Sequence, residues 1–422
     1  MAFDWIRARP PAAGALGAGR KASASGSGSG APRADAGRGP QPEAKASVAG
    51  SMIAFQTPGR AVWSPTDTAS LARNGYGANP VGFRAVRMLA EAAAAIPLTL
   101  AEEGRRMAEH PVLSLLARPN PGCDGRSFLE AVFGHLLIAG NAYVEGAPGA
   151  GEGWPAELFV LRPDRMQVVP GPDGWPAAYD YRVGQRVHRF SNTGDWARVL
   201  HLRAFHPLDD HYGMSPLEPA AAAVDVHNAA GRWAKALLDN AARPSGAIVF
   251  GAKDGAQMSE EQFRRLRQEL EDNHAGVSNA GRPMLLEGGL DWKPMSHSPK
   301  DMDFLETKHA AAREIALAVG VPPMLLGLPG DNTYANYQEA NRAFYRHSVL
   351  PMVRKVAAAL AGWLSANAGV ALALEPDLDQ VPALQTEREA LWRRVGEADF
   401  LTPAEKRAML GLAPLAEDGA DG

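Results

Sequence analysis

The chain is short of cysteine, of long apolar runs and of excess charge of either sign. Cys123 is the only cysteine in 422 residues. One thiol excludes an internal disulfide framework and a cysteine-rich zinc site, and it fits a reducing compartment. No run of about 18 apolar residues occurs, so no membrane span is expected. The N-terminal MAFDWIRARPPAAG carries basic residues with no apolar stretch behind them, which argues against a signal peptide. The formal net charge is −4, and a protein that grips phosphates tightly carries a basic surplus instead.

The chemical motifs are missing as well. The nearest approach to a phosphate loop is GALGAGRK at 14–21, where Arg20 follows Gly19 in the place of the required lysine. It also follows no strand. There is no G-x-S-x-G elbow. His201, His206, Asp209, Asp210 and His211 cluster in sequence, but in a Pro/Gly-rich loop without the i,i+4 spacing of a helical zinc site. Polar loop residues satisfied by backbone or water are the better reading. No catalytic residue, cofactor site or metal site is expected.

What is present is a layout. Residues 1–50 are mostly Ala, Gly, Ser, Pro and Arg, with seven Lys/Arg and three Asp/Glu. Such a segment cannot bury enough apolar surface to offset its ordering entropy, so 1–62 is expected to be a disordered tail. From Trp63 the pattern is mixed. Asn79-Pro80 is an N-cap followed by proline at the first helical position, with Val81, Ala85, Met88, Leu89 and Ala92 on one face of the helix it opens. PLTLAEE, AYVEG, AELFVL, MQVVP, AYDYRV and RVLHLRAF read as strands. The fold class is therefore α+β.

Capping boxes then mark helices at Ser215-Pro216-Leu217-Glu218, Ser259-Glu260-Glu261-Gln262, Ser298-Pro299-Lys300-Asp301 and Thr402-Pro403-Ala404-Glu405. Between the first and the third lies an insert with a strand (SGAIVF), the second capped helix and two further strands (PMLLEG, LDWKPM). Two helices flanking a small insert suggest a stalk bearing an α/β head. Phe304, Lys308, Ala311, Ile315 and Val319 form a stripe on the helix that ends near Val319. It reads equally as an intramolecular core face and as a face for neighbouring copies. The loop that follows holds Asp331, Asn332, Thr333, Tyr334 and Asn336, either a surface turn or a mobile segment aimed at a partner. Arg342 and Arg346, four apart, share a face of the next helix and are either phosphate contacts or solvated. Pro351 must kink or break that helix.

Eight fragments in order, among them NPVGFRAVRMLAEAAAAIPLTL, HYGMSPLEPAAAAV and the long 298–345 stretch, make residues 65–412 resemble the portal proteins of long-tailed bacteriophages, in the branch shared with prophages and gene transfer agents. The resemblance implies an elongated subunit. Its parts are an α/β wing (63–214), a first stem helix (215–242), a clip (243–297), a second stem helix (298–320), a returning wing with tunnel loop and long kinked helix (321–381), and a helical crown with C-terminal tail (382–422). It implies a ring, commonly of twelve copies, at one capsid vertex. Double-stranded DNA would pass through it without sequence preference. The large terminase, the major capsid protein and head–tail adaptor proteins would dock on it. On that reading 331–336 with Arg342 and Arg346 lie at the channel, the 304–319 stripe packs the stem and ring, and the protein, made in the bacterial cytoplasm, ends in a phage-like particle. A nuclease or ATPase of DNA packaging, or a monomeric adaptor, are the alternatives.

Overall fold

A computed structural model gives the fold. It describes residues 63–148, 154–192, 196–239, 246–250, 259–274, 290–294, 304–330 and 333–412. The expected tail at 1–62 lies outside them, as do the capping box at 298–301, the strand expected at PMLLEG and the loop residues Asp331 and Asn332.

Helix α1 (Thr68–Ser70) runs straight into a π-helical turn (Leu71–Gly77). Helix α2 (Pro80–Ala94), strands β1 (Leu98–Glu102) and β2 (Arg105–Met107), and helices α3 (Pro111–Ala117) and α4 (Gly125–Ala139) follow. Six strands come next: β3 (Asn141–Pro148), β4 (Pro155–Leu161), β5 (Met166–Pro170), β6 (Pro176–Val183), β7 (Arg186–Ser191) and β8 (Val199–Arg203). Then come α5 (Ala221–Asp239), β9 (Gly246–Phe250), α6 (Glu260–His274), β10 (Leu290–Pro294) and α7 (Phe304–Val319). The chain closes with α8 (Tyr334–Phe344), α9 (Leu350–Ala368), β11 (Leu372–Pro376), α10 (Gln385–Gly396) and α11 (Pro403–Leu410). The strands form antiparallel sheets ordered β11-β1-β2, β4-β3-β8, β5-β6-β7 and β10-β9. Helices are mixed with strands whose pairings are all antiparallel among the described residues, which is the expected α+β class.

One core unites α2, α4, α9 and the β4-β3-β8 sheet. Val86 and Leu89 of α2, Phe128, Val132 and Phe133 of α4, and Val356, Leu360 and Leu364 of α9 are all buried in it. Strand β3 is the central strand and is buried along nearly its whole length. Ala142 and Val144 join the helical core, while Tyr143 meets Tyr179 of β6, ring centres 6.0 Å apart. The alternation of a strand thus serves two layers at once. A Cβ on Gly146 would stand 2.8 Å from the Trp363 ring of α9. Trp363 in turn donates its indole N–H to the Ala197 carbonyl at 2.6 Å, pinning α9 to the approach to β8.

Local capping explains most boundaries. Asn79 accepts from the N–H groups of Val81 and Gly82 at 3.0 and 2.9 Å. Ser259 and Gln262 exchange reciprocal bonds, as do Thr402 and Glu405. The box at Ser215 does not form. Its hydroxyl accepts from the Leu217 N–H, only two residues on, and donates to the Leu137 carbonyl. Pro219, which has no N–H, falls where the first full turn would need one, so α5 starts at Ala221 instead. Two further features escaped the pattern reading: the turn of helix opened by Asp67, and the short, charged edge strand β2.

Pro351 does not break its helix. The Leu350 N–H reaches back five residues to the Tyr345 carbonyl, so a π-helical turn (Tyr345–Val349) precedes the proline. The widened turn absorbs the bond that proline cannot make. The resulting helix, 34 residues from Ala335 to Ala368, is long and apolar enough to cross a membrane by length and composition. Half of its most apolar window is buried inside this chain, and its apolar face is the α9 side of the core described above.

Candidate functional site

The stretch between α7 and α9 carries most of the singled-out residues. Helix α7 ends in a Schellman motif: Gly320 (φ 80°) donates to Leu317, and Val321 to Ala316. Ser348, in the π-helical turn, donates its hydroxyl to the Gly320 carbonyl at 2.5 Å. A Cβ at Gly320 would meet that same hydroxyl at 2.9 Å. A short 3-10 turn (Pro323–Leu326) leads out, and Arg313 of α7 donates to the Pro329 carbonyl at 2.6 Å. On the far side Thr333 caps α8, its hydroxyl accepting from the Asn336 N–H at 3.3 Å. The loop is thus held at both ends, by Arg313 and Ser348 before it and by Thr333 after it. Asn336 is exposed at the start of α8; Asp331, Asn332 and the side chain of Tyr334 lie outside the described residues.

Arg342 and Arg346 are both matched by carboxylates of this chain. Arg342 sits 3.1 Å from Glu339, and Arg346 sits 2.5 Å from Glu387 at the start of α10. Neither stands as a bare cation waiting for a phosphate. The second pair ties the long helix to the C-terminal helical unit, a connection that spacing along the sequence does not reveal.

The stripe on α7 faces inward. Ala311 and Ile315 pack with Ala220, Ala223 and Val224, on and just ahead of α5. Val319 joins the main core, and Lys308 is half-buried. Ala311, Ile315 and Val319 are buried within this chain; the side chain of Phe304 is not described. Helix α5 is held to the body by a polar chain the sequence did not announce. Asn79 donates to Asn228 (3.0 Å) and lies 3.3 Å from His227, Asn228 donates to the Asn74 carbonyl, and Asp225 accepts from Ser64.

The histidine–aspartate cluster at 201–211 is structural. His201 is stacked on Tyr143 at 4.2 Å and bonded to Asn141 at 3.0 Å. Asp209 accepts from the His211 and Tyr212 N–H groups. Among the described residues no group of three or more His, Cys, Asp or Glu is placed to hold a metal.

Burial around this cluster sets a pH dependence. Desolvation holds the His201 imidazole well below its ordinary value, at about 3, with Arg203 and His211 adding to the effect. Burial lowers His135 and His227 too. The unfolded chain therefore takes up protons first as pH falls below about 6.5. Stability is complete above that value and is lost progressively toward the folded-state value. Glu145, pushed up by burial beside Arg198, acts in the opposite sense over part of the range. The expected result is a lower urea midpoint at pH 5 than at pH 7, with His201 alone contributing about 2 kcal/mol. A midpoint that holds or rises would contradict the assignment.

The family model described as phage portal protein matches residues 80–411. A protein of Rickettsia felis is 40% identical over 344 residues, 81% of this chain and 88% of that protein. The probable portal protein of Streptomyces phage phiC31 is 29% identical over 351 residues, covering 79% of this chain and 74% of its own. Among solved structures, a chain from the neck of a native gene transfer agent particle, computed with C12 symmetry, is 59% identical, with a TM-score of 0.65 over 84% of this chain and 96% of that one. A family match from the start of α2 to the end of α11, together with these relatives, means that the chain belongs to the phage portal protein family.

Proposed function

We propose that copies of this chain close into a ring at one vertex of a phage-like capsid and form the channel for packaging and release of double-stranded DNA. The observation that carries this reading is the 59% identity, over nearly the whole of that chain, to a component of a gene transfer agent neck computed with C12 symmetry. We place the wing at 63–214 and 321–381 and the clip at 243–297. The stem is α5 with α7, and the crown is 382–422. The large terminase, the major capsid protein and head–tail adaptors are the partners such a ring requires. The chain would be made in the bacterial cytoplasm and end in the particle. The family is structural, and the work assigned here needs position and shape rather than catalysis.

The electrostatics support a conduit. DNA must slide, and release of many counterions from phosphate contacts would hold it in place. A net charge of −4 and the pairing of Arg342 and Arg346 with carboxylates fit that need. Purified rings are expected to bind a short duplex no tighter than about 10⁻⁶ M at physiological salt, with a salt slope far shallower than the −10 or so of a phosphate-gripping repressor. Nanomolar binding with a steep slope would argue for a DNA-processing enzyme or clamp instead.

A further inference from the structure

A ring whose copies meet head to tail needs two different, complementary patches on each subunit. Two such patches lie at opposite ends of α4. At its C-terminal end, the Gly140 carbonyl accepts from the Ala204 N–H, at the start of loop 204–212. That loop is braced. Asp209 accepts from the His211 and Tyr212 N–H groups at 2.7 and 2.9 Å, and His206 Nδ1 accepts from Leu208 N–H at 3.1 Å. Arg203 donates to the Asp210 carbonyl, and the Tyr212 hydroxyl accepts from the Val168 N–H at 2.9 Å. On this stiff loop Phe205 is 83% and Leu208 92% exposed. Displaying two large apolar side chains in water is unfavourable, and bracing them removes the freedom to fold away; both features suit a preorganised anchor.

At the N-terminal end of α4 lies a groove of about 430 Å³, lined by Ile96, Pro97, Leu98, Leu113, Leu116 and Leu129, with Asp124 and Arg126 at the same place. It is predominantly apolar and large enough for both anchor side chains. A helix of 15 residues spans about 22 Å, so the anchor of one copy cannot fill the groove of the same copy. We propose that Phe205 and Leu208 of each subunit seat in the α2–α3–α4 groove of the next, giving the closed ring one of its repeating contacts. The proposal rests on the ring reading above and adds to it a specific contact and its polarity.

The test uses the full chain. In a Cys123→Ser background, Leu208→Cys and Arg126→Cys are introduced together, both at exposed positions. Rings are isolated by native mass and treated with a short bis-maleimide. The expected result is a denaturing-gel ladder of covalent multimers from the double variant and monomers from each single-cysteine parent. Intact rings that yield only monomers would overturn the proposal, as would covalent dimers from Leu208→Cys alone, which would mean anchor meets anchor. A wild-type protein that forms no ring overturns the ring reading first, so the two failures are distinct. Independently, Leu208→Asp is expected to move native mass from ring toward the 44.8 kDa chain at unchanged helix and strand content by circular dichroism. Rings that assemble as before would count against the contact.

Discussion

Replacing Asn141 with alanine is expected to destabilise the chain by about 3–6 kcal/mol, enough to cost most of the soluble folded protein. The Asn141 amide donates to the Ala139 and Gly213 carbonyls at 2.8 and 3.1 Å. Its oxygen accepts from the Gly213 N–H at 2.8 Å and lies 3.0 Å from His201 Nε2. Both backbones are packed too closely for compensation: a Cβ on Gly140 would stand 2.3 Å from the Gly213 carbonyl, and one on Gly213 would stand 2.1 Å from that of Gly140. Alanine leaves several buried donors and acceptors without their side-chain partner, each costing about 1–3 kcal/mol. The junction joins the end of α4, the β3–β8 sheet and the segment that leads into α5, so its loss is expected to be global. Urea unfolding of the variant against the parent measures it. A loss below about 1 kcal/mol would show that the network is dispensable.

The second large effect concerns DNA rather than stability. Replacing 331–336 by a short Gly/Ser link leaves the clamps at Pro329 and Gly320 in place, because both are made by residues outside the segment. Ring assembly should survive. Particles carrying the variant should retain less DNA than the parent's. A loop clamped by Arg313 before it and Thr333 after it is suited to touch passing DNA without fixing it. Native mass and DNA content of the same particles are the two readouts. Normal packaging and retention with an intact ring would remove the loop from the mechanism; loss of the ring itself would make the loop an assembly element.

Local chemistry made much of the fold legible. The caps at Asn79, Ser259 and Thr402 work through residues two or three positions apart, and neighbouring residues display such pairs directly. Ser215 misled because its hydroxyl answers to Leu137, 78 residues away, and because Pro219 forbids the helix the box announces. The stripe from Lys308 to Val319 was legible as a packing face, but not what it packs on, since α5 lies on the far side of the 243–297 insert in sequence. The clamps Arg313–Pro329 and Ser348–Gly320 and the Asn141 junction left no mark in periodicity or composition. Each joins a side chain to a backbone carbonyl, and every residue has one of those. Arg342 and Arg346 were visible as a charged face; the partner of Arg346, Glu387 on α10, was not.

The proposed function stands or falls on assembly. Native mass of the purified chain, with electron micrographs of the same sample, tests it most directly. It predicts rings with a central hole and, for twelve copies of 44.8 kDa, a mass of about 540 kDa. A chain that stays at 44.8 kDa, alone and after addition of the capsid protein, would contradict it.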